Sequence, residues 1–232
     1  MPSPPAIGQI DFDAVRCLNV SLAKKLDAYV QRHWQHQRDV ALLYQSLIVR
    51  LTSGGAGQNA MNIGDRLPTF VLPDSGGCLV RSDDLLERGP LIVSFNRGSW
   101  CPFCRLELLS FAESYPEVKA QGGEIVSIIP EKGEPAGKLK NGYELPFPVL
   151  SDIDNGFALA NGLMISCGDD LHTALLERGI DLGALHGNRG LFMPITATYV
   201  VAPNGIIKDA FVDPDFRLRM PTEQAVAALK DL

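Results

Sequence analysis

The sequence predicts an α/β protein in which short strands alternate with helices behind an N-terminal helical extension, and three observations predict it. First, apolar residues recur with three-to-four spacing from Ser21 to Leu51, at Leu22, Leu26, Tyr29, Val30, Val40, Leu43, Leu47, Ile48 and Leu51, with no Pro or Gly between. Second, the run "LIVSF" (91–95), bounded by Gly89-Pro90 and Asn96, suits a strand covered on both faces in the middle of a sheet, and a helix start follows it at Pro102. Third, "TATYVV" (196–201) and "IIKDAFV" (206–212) flank Pro203-Asn204-Gly205, where Asn-Gly signals a tight hairpin.

The remaining elements fall into order around these. Ser21 is placed to cap the first helix, a break is expected near "QRHWQHQRD", and "SGGAGQN" (53–59) ends the segment, so residues 1–60 read as the extension and 61–232 as the main domain. "TFVL" (69–72) and "CLV" (78–80) flank a turn at Asp74-Ser75-Gly76-Gly77, and Ser82 begins a short helix. A buried strand is expected at 124–130, an extended stretch at 147–150 and a helix near 154–160, a βαβ rhythm. Within 163–192 only "DDLHTALLERG" reads as helix and the rest as loop. "TEQAVAALKDL" closes the chain as a helix.

Composition narrows the function classes. The 232 residues are 46% hydrophobic with net charge -6 and pI near 5.2, and no dense Lys/Arg cluster is present, so neither nucleic acid nor an anionic membrane surface is an expected partner. The N-terminus lacks the basic and apolar regions of a secretory signal, and no stretch approaches the roughly 18 apolar residues of a membrane span. A cytoplasmic location is therefore expected, where the five cysteines are mostly reduced and a close pair is catalytic or metal-binding.

That close pair is Cys101-Pro102-Phe103-Cys104. Proline is favoured at the first helical position, which makes Cys101 the N-cap and puts Cys104 in the first turn. Free backbone N–H groups and the positive end of the helix dipole there stabilise a thiolate, and the spacing allows a small disulfide to close. Structural zinc needs a second half-site, but Cys17, Cys78 and Cys167 are scattered singly, so no metal and no cofactor are assigned. Two buried cysteines packing as small apolar residues is the remaining alternative.

Around this pair the chain resembles the thioredoxin superfamily, and within it the peroxiredoxin-like branch, C-x-x-C type, of the alkyl hydroperoxide reductase/thiol-specific antioxidant family. The residues that carry the resemblance are "NIGDRLPTFVLPDSGG" (62–77), "LIVSFNRGSWCPFCRLEL" (91–108), "FPVLSDIDNGFALANGL" (147–163) and "ATYVVAPNGIIKDAFVDPDF" (197–216). It implies a thioredoxin-like fold, a central mixed sheet flanked by helices. In the family's P-x-x-x-T-x-x-C motif the last cysteine attacks peroxide, and it matches Cys104. The motif's threonine falls on Cys101, its proline on Arg97, and the arginine expected before the late strand on Thr196. Thr196 also takes the place of the usual cis-proline, with Pro194 two residues earlier.

Three mechanisms stay open. In a thiol peroxidase, Cys104 attacks a hydroperoxide, Cys101 resolves, and thioredoxin or a similar dithiol is the reductant. In a thiol-disulfide oxidoreductase, Cys101, the more exposed sulfur of such sites, attacks a disulfide and Cys104 resolves. In a redox sensor, disulfide formation alters the packing of the helical extension. Trp100 and Arg97 flank the pair as pocket and electrostatic candidates, Arg97 either holding a thiolate or bound oxygen or lying on the surface. Arg189 is a weaker candidate for the same role. Cys167 reads as buried filler or a second resolving thiol, Cys17 and Cys78 as structural, His33 and His36 as part of a solvated face, and His172 and His186 as uninformative. The amphipathic extension needs a partner for its apolar face, either its own domain or a second copy in a homodimer.

Overall fold

Successive side chains of a strand point to opposite faces of its sheet, and Leu91–Phe95, all five buried, shows the consequence. Leu91, Val93 and Phe95 pack on one face with Phe70, Leu163 and Ile195, while Ile92 packs on the other with Leu108, Phe111 and Val118. A strand covered this way belongs at the centre of a sheet. The structure, a computed structural model, describes residues 12–188, 191–230 and 232.

In chain order the helices are α1 (Phe12–Arg16), α2 (Leu22–His36), α3 (Arg38–Ser53), α4 (Ser82–Leu86), α5 (Pro102–Ala120), α6 (Gly133–Gly142), α7 (Gly156–Ala160), α8 (Asp169–Glu177), α9 (Leu182–His186) and α10 (Thr222–Ala227). The strands are β1 (Val71–Pro73), β2 (Leu79–Arg81), β3 (Leu91–Phe95), β4 (Glu124–Ile129), β5 (Val149–Ser151), β6 (Met164–Ser166), β7 (Phe192–Pro194), β8 (Ala197–Val201) and β9 (Ile207–Val212). The main sheet runs β5-β4-β3-β8-β9, with β3, β4 and β5 parallel and β8 and β9 antiparallel to their neighbours. It is the mixed, helix-flanked sheet of a thioredoxin-like fold, and α1–α3 precede it. Helices α5 and α10 cover the face that carries Ile92.

The chain breaks between α2 and α3 at Gln37, whose φ of -141° and ψ of 55° leave the helical region. Ser21 stands at the N-cap of α2 but makes no side-chain cap bond. The apolar stripes of α1–α3 close against the start of α5. Phe12, Leu26, Tyr29, Tyr44 and Leu47 form one buried cluster with Trp100, Cys101, Phe103 and Cys104. The apolar face of the extension is thus covered by its own chain.

Three expectations need correction. Segment 163–192 is not loop outside α8: β6 pairs antiparallel with β7, and α9 lies between, capped by Asp181, whose side chain accepts the Ala184 N–H. Three-residue strands and a five-residue helix are too short to show a period. His33 is buried rather than solvated, its ring 5.1 Å from that of Tyr29 and 5.7 Å from that of Tyr44. Burial holds it neutral, its pKa lowered to about 4. Cys17 and Cys78, read as structural, are exposed.

Tyr29 makes edge contacts with both Phe12 and Phe103, joining the extension to α5. Tyr29→Ala is expected to cost about 3–5 kcal/mol, the range for deleting a large buried aromatic ring, read as a lowered urea midpoint with an unchanged slope.

Candidate active site

Strand β3 ends at Phe95, and the next nine residues build the site. The Asn96 N–H donates to the Ile128 carbonyl of β4 at 2.8 Å, which extends the sheet by one residue before the chain turns away. Gly98 has φ of 133°, and a Cβ there would lie 2.6 Å from Glu131 Oε1 and 2.8 Å from Trp100 Nε1. Only glycine fits so close to both groups. The turn delivers Cys101 to the N-cap of α5 and Pro102 to its first position, as the sequence predicts.

Both sulfurs are closed to solvent, Cys101 at 1% and Cys104 at 0% exposure, which corrects the expectation of a more exposed Cys101. The extension and the segment after β9 form the roof, through Tyr44 and Phe216, whose rings meet edge-on and of which Phe216 also packs on Phe103 of α5. All five cysteines are free thiols in this structure.

The sulfurs are hydrogen-bonded to each other and ionise as a pair. For Cys101, burial raises the pKa, but the bond with Cys104 and the charges of Arg97 and Arg219 outweigh it and lower it to about 6. Cys104 is raised, first by burial and then by its bond to Cys101 and that thiolate's charge, with Arg219 opposing. One negative charge is held between them. The donors outside the pair converge on Cys104: Arg97 N–H reaches its Sγ at 3.4 Å and Arg219 Nη2 at 3.2 Å.

Arg219 has no counterpart among the sequence candidates. It comes from the segment after β9, and its guanidinium also pairs with Glu107 of α5 and donates to Asn96 Oδ1 at 3.2 Å and the Phe216 carbonyl at 2.9 Å. Glu107 in turn accepts from Ser94 Oγ at 3.2 Å and Thr198 Oγ1 at 3.1 Å. Ser127, Ser94 and Thr198 lie side by side across β4, β3 and β8. A hydroxyl inside each of three apolar runs was the available signal for this polar row, and Glu107, three residues after Cys104 on the same helix face, was the second.

Arg97 is not a surface arginine: it is 1% exposed. Its Cζ lies 3.8 Å from the Phe216 ring centroid and 4.8 Å from that of Trp100, Nε donates to Met193 Sδ at 3.2 Å, and Nη1 and Nη2 have no partner. Stacking of this kind suits a guanidinium, which is weakly hydrated and planar. Trp100 is buried with Nε1 unpartnered. Thr196 is buried too, but its Oγ1 makes no hydrogen bond and so none to either sulfur. Pro194 lies in β7, and no described peptide bond is cis. Cys167 packs in the same apolar cluster as the pair, its pKa raised by burial. Arg189 lies outside the described residues.

Glu131, two residues beyond β4, likewise has no counterpart among the sequence candidates. It is fully buried, and its Oε1 accepts from the Ser99 N–H and hydroxyl at 3.0 Å each. Burial raises it to about 7. Among the described residues no group of three or more His, Cys, Asp or Glu is placed to hold a metal ion, and no helix is long and apolar enough to cross a membrane.

A thioredoxin-like sheet with two hydrogen-bonded thiols at the start of the helix after its central strand defines a thiol redox protein of that fold. Residues 63–210 match the AhpC/TSA family, and the chain belongs to it. By that membership it is a peroxiredoxin-like oxidoreductase. The thiol-disulfide oxidoreductase ResA of Bacillus thuringiensis (strain Al Hakam) is 31% identical over 122 residues, 48% of this chain and 69% of that protein. Peroxiredoxin Q, chloroplastic, of Oryza sativa subsp. japonica is 32% identical over 92 residues, 40% of this chain and 42% of that one. Among solved structures, peroxidoxin BcpB from Mycobacterium tuberculosis shares the fold with a TM-score of 0.57 at 23% identity, over 74% of this chain and 98% of that chain.

Two predictions follow from the geometry. Because Cys101 ionises near 6, its slow alkylation by iodoacetamide, resolved by mass spectrometry from that of the exposed Cys17 and Cys78, is expected to rise with pH through about 6, rather than through the ~8.5 of free cysteine. Arg219→Met, which removes a cation that favours the thiolate, moves that rise to higher pH. Glu107→Leu leaves Arg219 buried without its counter-charge and is expected to cost about 3–5 kcal/mol in urea unfolding. The double variant Glu107→Leu/Arg219→Met recovers most of that loss.

Proposed function

We propose that the protein is a thiol-dependent peroxidase that reduces hydrogen peroxide or organic hydroperoxides with Cys104 as the attacking sulfur. The observation that carries this reading is the convergence of Arg97 N–H and Arg219 Nη2 on Cys104 Sγ, which stabilises negative charge on that atom. With the pair's one negative charge on Cys104 and its proton on Cys101, the Cys104 thiolate forms an S–O bond as the O–O bond breaks, giving Cys104 sulfenic acid and an alkoxide or hydroxide that takes up a proton to leave as alcohol or water. Cys101 thiol then condenses with the sulfenic acid, an S–S bond forms and water leaves. A dithiol such as thioredoxin reduces the disulfide. Arg97, with Trp100 beside it, supports the site electrostatically, since its charge acts on Cys101 and its Nη atoms are free to meet an oxygen. Burial of both sulfurs favours a small substrate over a protein disulfide.

Thiol-disulfide exchange is the second reading, and one observation favours it: Cys101 is the thiol whose pKa is lowered, to about 6, as the attacking sulfur requires. The likeness to ResA supports the same reading.

Trapping separates them. Under the peroxidase reading, Cys101→Ser accumulates Cys104 sulfenic acid on mixing with hydrogen peroxide, detected by dimedone labelling and mass spectrometry, at a rate well above that of free cysteine. Under the exchange reading, Cys104→Ser instead holds a mixed disulfide through Cys101 after incubation with a disulfide substrate, and peroxide leaves the wild-type thiols no more reactive than free cysteine.

A further inference from the structure

Two glutamates are buried around the site, Glu107 paired with the arginine that reaches Cys104 and Glu131 against the loop that leads into the pair, and their oxygens are differently engaged. Glu107 has both occupied: Oε1 accepts from Thr198, and Oε2 accepts from Ser94 and pairs with Arg219. Glu131 has one. Its Oε1 is fixed by the Ser99 N–H and hydroxyl, whereas Oε2 is buried without a partner.

The loop that holds Glu131 is the loop that carries the pair. Ser99 and Gly98 immediately precede Trp100-Cys101, and the absence of a Cβ at Gly98 is what lets the carboxyl and the Trp100 indole nitrogen approach it. Negative charge on Cys104, when that sulfur is the ionised one of the pair, raises the proton affinity of the Glu131 carboxyl, while the two bonds from Ser99 oppose it. With burial as the larger cause, the carboxyl titrates near 7, so a large share of molecules carry a proton there at neutral pH. A protonated carboxyl has one O–H to donate, and Oε2 is the oxygen left to carry it.

We propose that Glu131 is the general acid of the site, giving the proton on Oε2 to the oxygen that leaves when Cys104 Sγ cleaves the O–O bond of a hydroperoxide. The inference rests on the peroxidase reading. The balance is simple: the sulfur electron pair forms the S–O bond, the O–O pair stays with the departing RO group, and that group takes the Glu131 proton to become ROH. Solvent then returns a proton to the carboxylate. Without the acid, RO must leave as an alkoxide, whose basicity makes it a poor leaving group.

The test uses leaving groups that differ in this need. Single-turnover oxidation of Cys104 is measured in full-length wild type and Glu131→Gln with tert-butyl hydroperoxide, which expels a strongly basic alkoxide, and with peracetic acid, which expels acetate. Gln keeps an oxygen for Ser99 but has no proton to transfer. The expected result is a loss of about 100-fold with tert-butyl hydroperoxide, the low end for general acid catalysis, and an unchanged rate with peracetic acid, which also reports that the variant is folded. Equal losses with both oxidants, or no loss with either, overturn the proposal. Wild type reacting with tert-butyl hydroperoxide no faster than free cysteine overturns the peroxidase reading and this inference with it.

Discussion

The Cys101–Cys104 pair carries a negative charge at the start of α5 with neither sulfur open to solvent, and the surrounding structure is arranged around that charge. Burial alone would keep both thiols protonated. For Cys101 the hydrogen bond with the Cys104 thiol, the charges of Arg97 and Arg219 and the Cys104 backbone N–H at the helix start reverse this. Arg219 itself needs a counter-charge, supplied by Glu107, and Glu107 needs the hydroxyls of Ser94 and Thr198. The polar row across the middle of an otherwise apolar sheet is explained by this chain of compensation.

The second consequence concerns access. Helices α2 and α3 place Tyr29, His33 and Tyr44 over Phe103, so the extension belongs to the site as well as to the core. Arg97 fills the space between Phe216, Trp100 and Tyr44. A guanidinium held by aromatic faces keeps two donor groups free, which a carboxylate partner would have consumed. The same enclosure raises the pKa of the buried Glu131 carboxyl to about 7.

What the sequence by itself determined is everything with a short physical range. The three-to-four spacing of 21–51, the five-residue buried run before Pro102, the Asn-Gly hairpin and the cap-proline-cysteine order at 101–104 are each written in neighbouring residues, because helix periodicity, turn geometry and the helix dipole act over one or two turns. They were enough for an α/β class and for the sulfur pair, while the thioredoxin-like fold was legible through the family resemblance of four longer stretches. Elements too short to show a period, β6, β7 and α9, were not legible. Only the tertiary structure decided the environment: that His33 and Arg97 are buried, that the extension roofs the cysteines, and that Arg219, 115 residues beyond Cys104, binds its sulfur. A charge in a closed site is governed by whichever groups the packing brings within a few ångströms, and distance along the chain carries no information about those.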